Sequence, residues 1–307
     1  MLTEIEKGLL ETIADMKDGQ AEGAVNIRVD GKKAARGTTA NIDIVTKDDK
    51  DGIDIIIKPG TRNESVHIPV VLSESGLQDM VYNDFFVGEG SDVTIVAGCG
   101  IHNCGVQQSR HDGIHTFYVG KNARVRYVER HYGEGDGRGE TIMNPTTVVE
   151  MDEDSYMERE TSQIKGVDST VRTTNAKLGP RATLIIREKV MTHGRQLAKS
   201  DFTVDLDGED CHTNVISRSV AKDQSRQVFL ARINGNARCY GHSECDAIIM
   251  DQGVVAAIPE VTANCVDASL VHEAAIGKIA GEQLIKLMTL GLTEKEAEEQ
   301  IVNGFLK

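Results

Sequence analysis

The fold is decided by a short phrase that first reads Val87-Gly88-Glu89-Gly90-Ser91-Asp92-Val93 and then returns as Val119-Gly120-Lys121-Asn122-Ala123-Arg124-Val125. In both copies an apolar residue precedes a polar, glycine-containing turn, after which apolar and polar residues alternate. A recurring unit of this size with one turn per copy is typical of a solenoid. The successive starts are 32, 32, 27, 28, 27 and 17 residues apart, and the later copies begin at Met151, Leu178, Leu206, Ile233 and Met250.

The period within each unit is two, so the sequence predicts a mainly β fold in which strands wind into a parallel β-helix. A β-sandwich is the alternative, because short strands separated by turns also produce one. The copy at Leu206 places Asp210, His212 and Asn214 where inward apolar residues should lie, which indicates a slip of one residue. The absence of tryptophan and an aromatic content of 4% favour narrow coils over an ordinary globular core.

Helical signals occur at the two ends of the chain. Thr3 with Glu6, and Thr293 with Glu296, form capping boxes that begin helices. After Ala274 the apolar period returns to 3.6 residues. We therefore predict an N-terminal helix and small β region over 1–65, a β-helix core over 66–272 and a C-terminal helical domain over 273–307. Such short terminal helices must dock on the coils or on a partner to bury their apolar faces.

The composition excludes several classes of protein. A net charge of −14 provides no basic surface for nucleic acid. No apolar run is long enough to span a bilayer, and Met1-Leu2-Thr3-Glu4 does not resemble a signal peptide, so we expect a cytoplasmic protein. Its six cysteines are then expected to be reduced thiols.

The strongest candidate site contains Cys245, His272 and Glu273, a thiol, an imidazole and a carboxylate near the end of the predicted stack. Adjacent coils lie about 4.8 Å apart, so side chains of neighbouring coils can share a ligand. This donor set suits a soft metal or a metal–sulfur cluster. The alternative is that Cys245 packs inside the coils while His272 and Glu273 cap neighbouring elements.

A second group of donors lies in the longest units: Cys99, His102 and Cys104, followed by His111 and His115. These residue types suit zinc, but their spacing is not that of a zinc finger, and a polar loop with titratable side chains is the simpler interpretation. The glycine-rich segment 133–139 is expected to be a flexible loop. We expect only structural packing from two further pairs, Cys211 with His212 and Cys239 with His242.

Longer motifs resemble a known family. They are Cys245-Asp246-Ala247-Ile248-Ile249-Met250, then Ile258-Pro259-Glu260, then the segment from Leu270 to Ile279, and finally Gly291-Leu292-Thr293-Glu294 with Ile301-Val302-Asn303-Gly304-Phe305. Together they are similar to the C-terminal core of the SufB/SufD family over roughly 66–307. The length resembles that of short SufB-like proteins, which lack the extra N-terminal region of the longer paralogues.

The resemblance implies a right-handed parallel β-helix that is not an enzyme but a scaffold for iron–sulfur cluster assembly. It also implies that a SufC-type ABC ATPase binds the helical end and hydrolyses ATP. In the longer paralogues a pair of different chains shares the residues that match Cys245, Glu273 and His272. Because this chain carries all three, the resemblance implies a homodimer holding a transient cluster, expected to be [4Fe-4S], with a sulfur donor and apo-protein acceptors as further partners.

The resemblance does not identify a sulfur-accepting cysteine, so Cys99 and His102 remain weak candidates from their chemistry alone. Two other functions stay open at this point. One is a β-helix enzyme acting on acidic polysaccharide, which the negative charge disfavours. The other is a zinc-dependent hydrolase that uses the Cys99–His115 group.

Overall fold

A computed structural model describes residues 2–307, which form two long sheets and three α-helices. Sheet A contains β1 (Ala24–Val29), β2 (Lys32–Gly37), β5 (Arg62–Leu72), β7 (Asp92–His102), β9 (Arg124–Glu134), β12 (Tyr156–Lys165), β14 (Thr183–Thr192), β16 (Cys211–Ala221), β18 (Cys239–Ile249) and β20 (Ala268–Gly277). Sheet B contains β3 (Ile42–Thr46), β4 (Gly52–Ile57), β6 (Gln78–Val87), β8 (Ser109–Val119), β10 (Thr141–Met143), β11 (Thr146–Met151), β13 (Ser169–Leu178), β15 (Leu197–Leu206), β17 (Arg226–Gly235) and β19 (Val254–Ala263). The helices are α1 (Glu4–Ala14), α2 (Gly281–Thr289) and α3 (Glu294–Phe305), with a 3₁₀ turn at Lys17–Gly19.

The chain winds between the two sheets, and each coil adds one strand to each sheet. Neighbouring strands of the coils are therefore parallel, as β16 is to both β14 and β18. Antiparallel pairing occurs only in the β1–β2 and β3–β4 hairpins of the described residues. The predicted mainly β fold with a parallel solenoid is confirmed, and the sandwich alternative is wrong.

The turns explain both irregularities of the repeat. Copies up to Ile233 mark the corner that follows sheet B, but Met250 follows β18 of sheet A and lies at the opposite corner. Its start was therefore mistaken for a repeat of the same kind, and Cys245 and His272 lie one full coil apart. The slip after Leu206 is confirmed, because Leu178 pairs with Leu206 whereas Thr183 pairs with His212, one residue further along.

Alternation along the strands places apolar side chains between the sheets. Phe85 and Phe117 stack there with their ring centroids 4.3 Å apart. Helix α1 packs Leu9, Leu10 and Ile13 beside sheet A in a separate apolar cluster. The predicted capping box of α1 is present.

The C-terminal end of the solenoid is open. Strands β19 and β20 lie at the edges of their sheets, and most of their residues are exposed or half-buried. Strand β20 continues to Gly277, so the predicted change to helix near 273 comes too early. Helix α3 begins with the predicted capping box of Thr293 and Glu296.

The division at 65 and 272 stays a prediction, since β5 and β20 cross those two positions. Within residues 2–307, none of the helices has the length and apolar character needed to cross a membrane.

Candidate functional site

Cys245 lies on β18 and points into the solenoid, where it is fully buried. It pairs with Ser217 on one side and with Ala274 of the edge strand β20 on the other. Burial, followed by the negative charges of Glu188 and Asp246, raises the pKa of the Cys245 thiol to about 12. In the single chain this residue is therefore a protonated thiol, separated from the open end of sheet A by one strand.

His272 lies on the same inward side of sheet A, because it pairs with the buried Ser243. It is two residues before Ala274, the partner of Cys245, so the imidazole and the thiol occupy adjacent rows of inward side chains. Nδ1 of His272 is buried and has no hydrogen-bond partner among residues 2–307. Burial, with a contribution from His242, lowers the pKa of His272 and favours the neutral ring, whose free nitrogen can bind a metal.

Glu273 follows His272 on β20 and points to the opposite side of the sheet, since successive strand residues alternate. Its side chain is 68% exposed, and its Oε2 lies 3.9 Å from Nε2 of His242 on the outer surface. A single chain thus collects two of the predicted donors inside and leaves the third outside. No three His, Cys, Asp or Glu side chains in the described part of the chain are arranged to hold a metal ion.

The second predicted group is divided by the wall of the solenoid. Cys99 on β7 is buried, and burial, with Asp79 and Glu129, raises the pKa of its thiol well above the usual value. His111 and His115 on β8 also point inward, where Nδ1 of His115 lies 2.7 Å from the hydroxyl of Tyr127. They share a small enclosed cavity with Cys99.

His102 and Cys104 instead lie at the surface, just beyond the end of β7. The five residues therefore do not converge on one metal position. The Cys99–His115 arrangement required for the zinc-dependent hydrolase is not assembled.

The two weaker pairs are also divided. Cys211 and Cys239 are buried and pair with each other across β16 and β18. His212 instead stacks on Tyr240, and Nδ1 of His242 lies 3.0 Å from Oδ1 of Asn214. Each imidazole thus faces away from the thiol beside it in the sequence.

Sequence reasoning missed a row of buried charges between the sheets, which we call the interior polar file: Glu129, Arg159, Arg172, Glu188 and Ser217. Each of these five residues is at most 3% exposed. Arg159 Nη2 donates to Glu129 Oε2 at 3.1 Å, and Arg172 Nη1 donates to Glu188 Oε1 at 2.8 Å. The signal was available in Met157-Glu158-Arg159-Glu160-Thr161, where Arg159 has the same parity as the apolar Met157.

The interior polar file leads to Cys245. Glu129, Thr161, Glu188, Ser217 and Cys245 are successive members of one inward row on sheet A. Ser217 Oγ donates to Glu188 Oε2 at 3.0 Å. The candidate thiol is therefore buried at the end of a polar row, not sealed in an apolar core.

Comparison with known proteins places these features in a family. The family model described as "SUF system FeS cluster assembly, SufBD core domain" matches residues 74–305. An iron–sulfur cluster assembly SufBD family protein of Archaeoglobus fulgidus is 30% identical over 266 residues, covering 85% of this chain and 69% of the relative. One of Methanocaldococcus jannaschii is 29% identical over 255 residues, covering 82% and 79%.

A relative in Methanothermobacter thermautotrophicus strain Delta H is 27% identical, and the match covers 81% of this chain but 60% of the relative. The solenoid and the family match define a protein of iron–sulfur cluster assembly. Within that class the chain belongs to the SufBD family, as the resemblance of its C-terminal motifs implied.

Proposed function

We propose that two copies of this chain form a scaffold on which an iron–sulfur cluster is assembled between the open ends of their solenoids. Cys245, His272 and Glu273 are the proposed ligands, and the cluster is cargo that leaves for acceptor proteins. Membership of an iron–sulfur assembly family supports the cargo. The observation that carries the site is the unpartnered buried Nδ1 of His272, which lies in the row beside Cys245 at the open end.

A second copy supplies what one chain lacks. Glu273 points outward, so it cannot join Cys245 and His272 within the same chain. Strands β19 and β20 are edge strands, and an exposed edge is a template for pairing with another chain. Ile258, Val261 and Ile276 on these two strands are 46%, 47% and 39% exposed, which adds apolar surface for an interface between copies. A two-fold interface would place the same donors on both sides.

The chemistry of the donors suits a transient cluster, which we take to be [4Fe-4S]. Binding of iron would displace the proton of the Cys245 thiol, because a coordinating thiol is deprotonated. A set of mixed thiolate, imidazole and carboxylate ligands holds a cluster less firmly than four thiolates, and a scaffold must release its product. The neutral ring of His272 is already in the state that a metal requires.

The C-terminal helices are the proposed docking site for an ABC-type ATPase subunit of the SufC kind. Ile285, Met288 and Leu290 of this helical pair are 62%, 43% and 77% exposed. ATP hydrolysis on the partner would move the helices and reshape the interface between copies, so the chain itself acts as a scaffold and not as an enzyme. We place this assembly in the cytoplasm, with a sulfur donor and apo-protein acceptors as the remaining partners.

Anaerobic reconstitution with ferrous iron and sulfide tests the site. Cys245→Ser is compared with the parent and with Cys239→Ser, which removes another buried thiol from the same strand. Iron and sulfide bound per chain are measured after desalting. The proposal predicts that Cys245→Ser loses most of the cluster while Cys239→Ser keeps it. Equal loading of the parent and Cys245→Ser would refute the assignment.

A further inference from the structure

The two surface residues of the divided group form a second arrangement with a residue of the next coil. Cys104 Sγ lies 2.9 Å from Nε2 of His102, and Nδ1 of the same ring lies 3.3 Å from Oε1 of Glu134 at the end of β9. We propose that Cys104, His102 and Glu134 form a nucleophilic thiol site that cleaves the S–S bond of a small disulfide. This site is independent of the proposed cluster ligands.

The carboxylate of Glu134 determines which nitrogen of His102 carries the proton. A carboxylate accepts hydrogen bonds, so Nδ1–H donates to Glu134 and the lone pair of Nε2 faces Cys104. The Cys104 thiol then donates to Nε2, and His102 is positioned as its general base. Glu134 does not contact the reacting sulfur, so its role is positioning.

The turn that presents Cys104 is rigidly constructed. Asn103 is 3% exposed, and its side-chain amide donates to the carbonyl oxygens of Gln107 and Gly139 at 3.0 Å. The glycine-rich segment 133–139 packs directly on this turn, because a Cβ at Gly137 would lie 2.4 Å from the carbonyl oxygen of Gly105. The segment expected to be a flexible loop is thus a wall of the thiol site.

Backbone hydrogen bonding at the turn indicates the class of substrate. The N–H groups of Cys104 and Gly105 donate to Ser75 Oγ and Asn103 Oδ1, both at 3.1 Å. Acyl transfer needs free donors for a developing oxyanion, and these two are occupied. Cleavage of an S–S bond develops charge on a leaving sulfur instead, which the protonated imidazole can neutralise.

The reaction balances without a further reagent. His102 takes the Cys104 proton as the sulfur attacks one sulfur of the disulfide. A new S–S bond forms to Cys104, the original S–S bond breaks, and the leaving thiolate takes the proton from His102. Cys104 is oxidised to a mixed disulfide while the other half of the small disulfide is reduced to a thiol.

Access and distance both favour an independent site. Cys104 is exposed, Cys265 is half-buried and the other four thiols are buried. Strands β7 and β18 are separated by five steps along sheet A, roughly 24 Å at the usual strand spacing. Chemistry at Cys104 therefore does not depend on cluster assembly at Cys245.

The test uses full-length protein carrying Cys265→Ser, which removes the half-buried thiol, and measures its reaction at pH 7 with dithiobis-nitrobenzoate. Release of the coloured thiolate gives the rate, mass spectrometry locates the adduct, and oxidised glutathione serves as a second disulfide. We expect one fast thiol that Cys104→Ser abolishes. A positioned general base contributes about 100-fold or more in many reactions. For this reactive disulfide we expect His102→Gln to slow the reaction by at least about tenfold.

Glu134→Gln tests the positioning role. We expect a smaller decrease in rate than for His102→Gln, and nitrogen NMR of His102 should change from the Nδ1-protonated tautomer to a mixture. Unchanged far-UV circular dichroism shows that the solenoid is intact. The proposal fails if His102→Gln reacts as fast as its parent, or if Cys104 reacts no faster than Cys265 does in a matched Cys104→Ser protein.

Discussion

Arg159→Met tests whether the interior polar file holds the middle coils together. Arg159 is fully buried on β12, where it donates to Glu129 at 3.1 Å and to Thr174 Oγ1 at 2.9 Å. Methionine fills much of the same volume but carries no charge and no donor. Glu129 then keeps only His131, whose Nε2 lies 3.3 Å from its Oε1, as a charged partner within the described residues.

The expected loss is large because the remaining carboxylate is 2% exposed. Removal of one partner from a buried ion pair costs about 3–5 kcal/mol of unfolding free energy. Addition of Glu129→Gln should recover at least about 1 kcal/mol, because the uncompensated charge is then removed. Arg187→Met is the matched control, since it removes an ion pair with Glu158 on the exposed side of the neighbouring strand and should change stability little.

Urea unfolding followed by far-UV circular dichroism measures these differences, because the chain has no tryptophan. A loss below about 1 kcal/mol for Arg159→Met would refute the reasoning, given the usual cost of breaking a buried pair. A double variant with the summed loss of both single variants would also refute it.

The same pair predicts a dependence on pH. Burial alone would raise the pKa of Glu129, but His131 and Arg159 outweigh burial and hold that pKa well below its usual range. Because the folded pKa is lower than the unfolded one, the ion pairs stabilise the protein above about pH 4.3 and this stability is lost as the pH falls further. In Arg159→Met the acid-induced loss of stability should be smaller than in the parent.

Three further predictions concern other parts of the molecule. In Gly133→Ala the new Cβ would lie 1.9 Å from the carbonyl oxygen of Gly166, so the backbone must shift and the urea midpoint should fall. Thr293→Ala removes the capping box of α3 at a cost of about 1 kcal/mol, which hydrogen exchange should detect in α3 while the coils remain protected. Ala274→Leu places a large side chain beside Cys245, and we expect a normal midpoint but weaker cluster reconstitution; full reconstitution would contradict the proposed position of the site.

The repeat was readable from sequence because turn residues recur after every strand that lies on sheet B. Alternation within each copy also assigned most inward positions, including Val125 and Leu184. Those features depend on local rules, since a strand alternates its side chains and polar residues or glycine mark each corner. The fold class therefore followed from local pattern alone.

The orientation of the candidate ligands could not be predicted in the same way. Cys245 pairs with Ala274 at an offset of 29 residues, and that offset depends on the lengths of two turns at opposite corners. A change of one residue in either turn would exchange the inward His272 for Glu273. The motif supplied the identities of the residues, but only the register shows that two point inward and one points outward.

The interior charges escaped prediction for a different reason. Arg172 and Glu188 lie on different sheets, and their contact depends on the closure of a coil. Isolated charged residues are normally assigned to the surface because burial without a partner is costly. Only the three-dimensional pairing explains how both are tolerated inside.

Native mass spectrometry of anaerobically reconstituted protein tests the proposed shared site most directly. The account predicts that parent protein carries the cluster as a species of two chains, and that Cys245→Ser and Glu273→Gln both reduce that species. A cluster carried by the single chain, or a loaded dimer that survives Cys245→Ser, would contradict it.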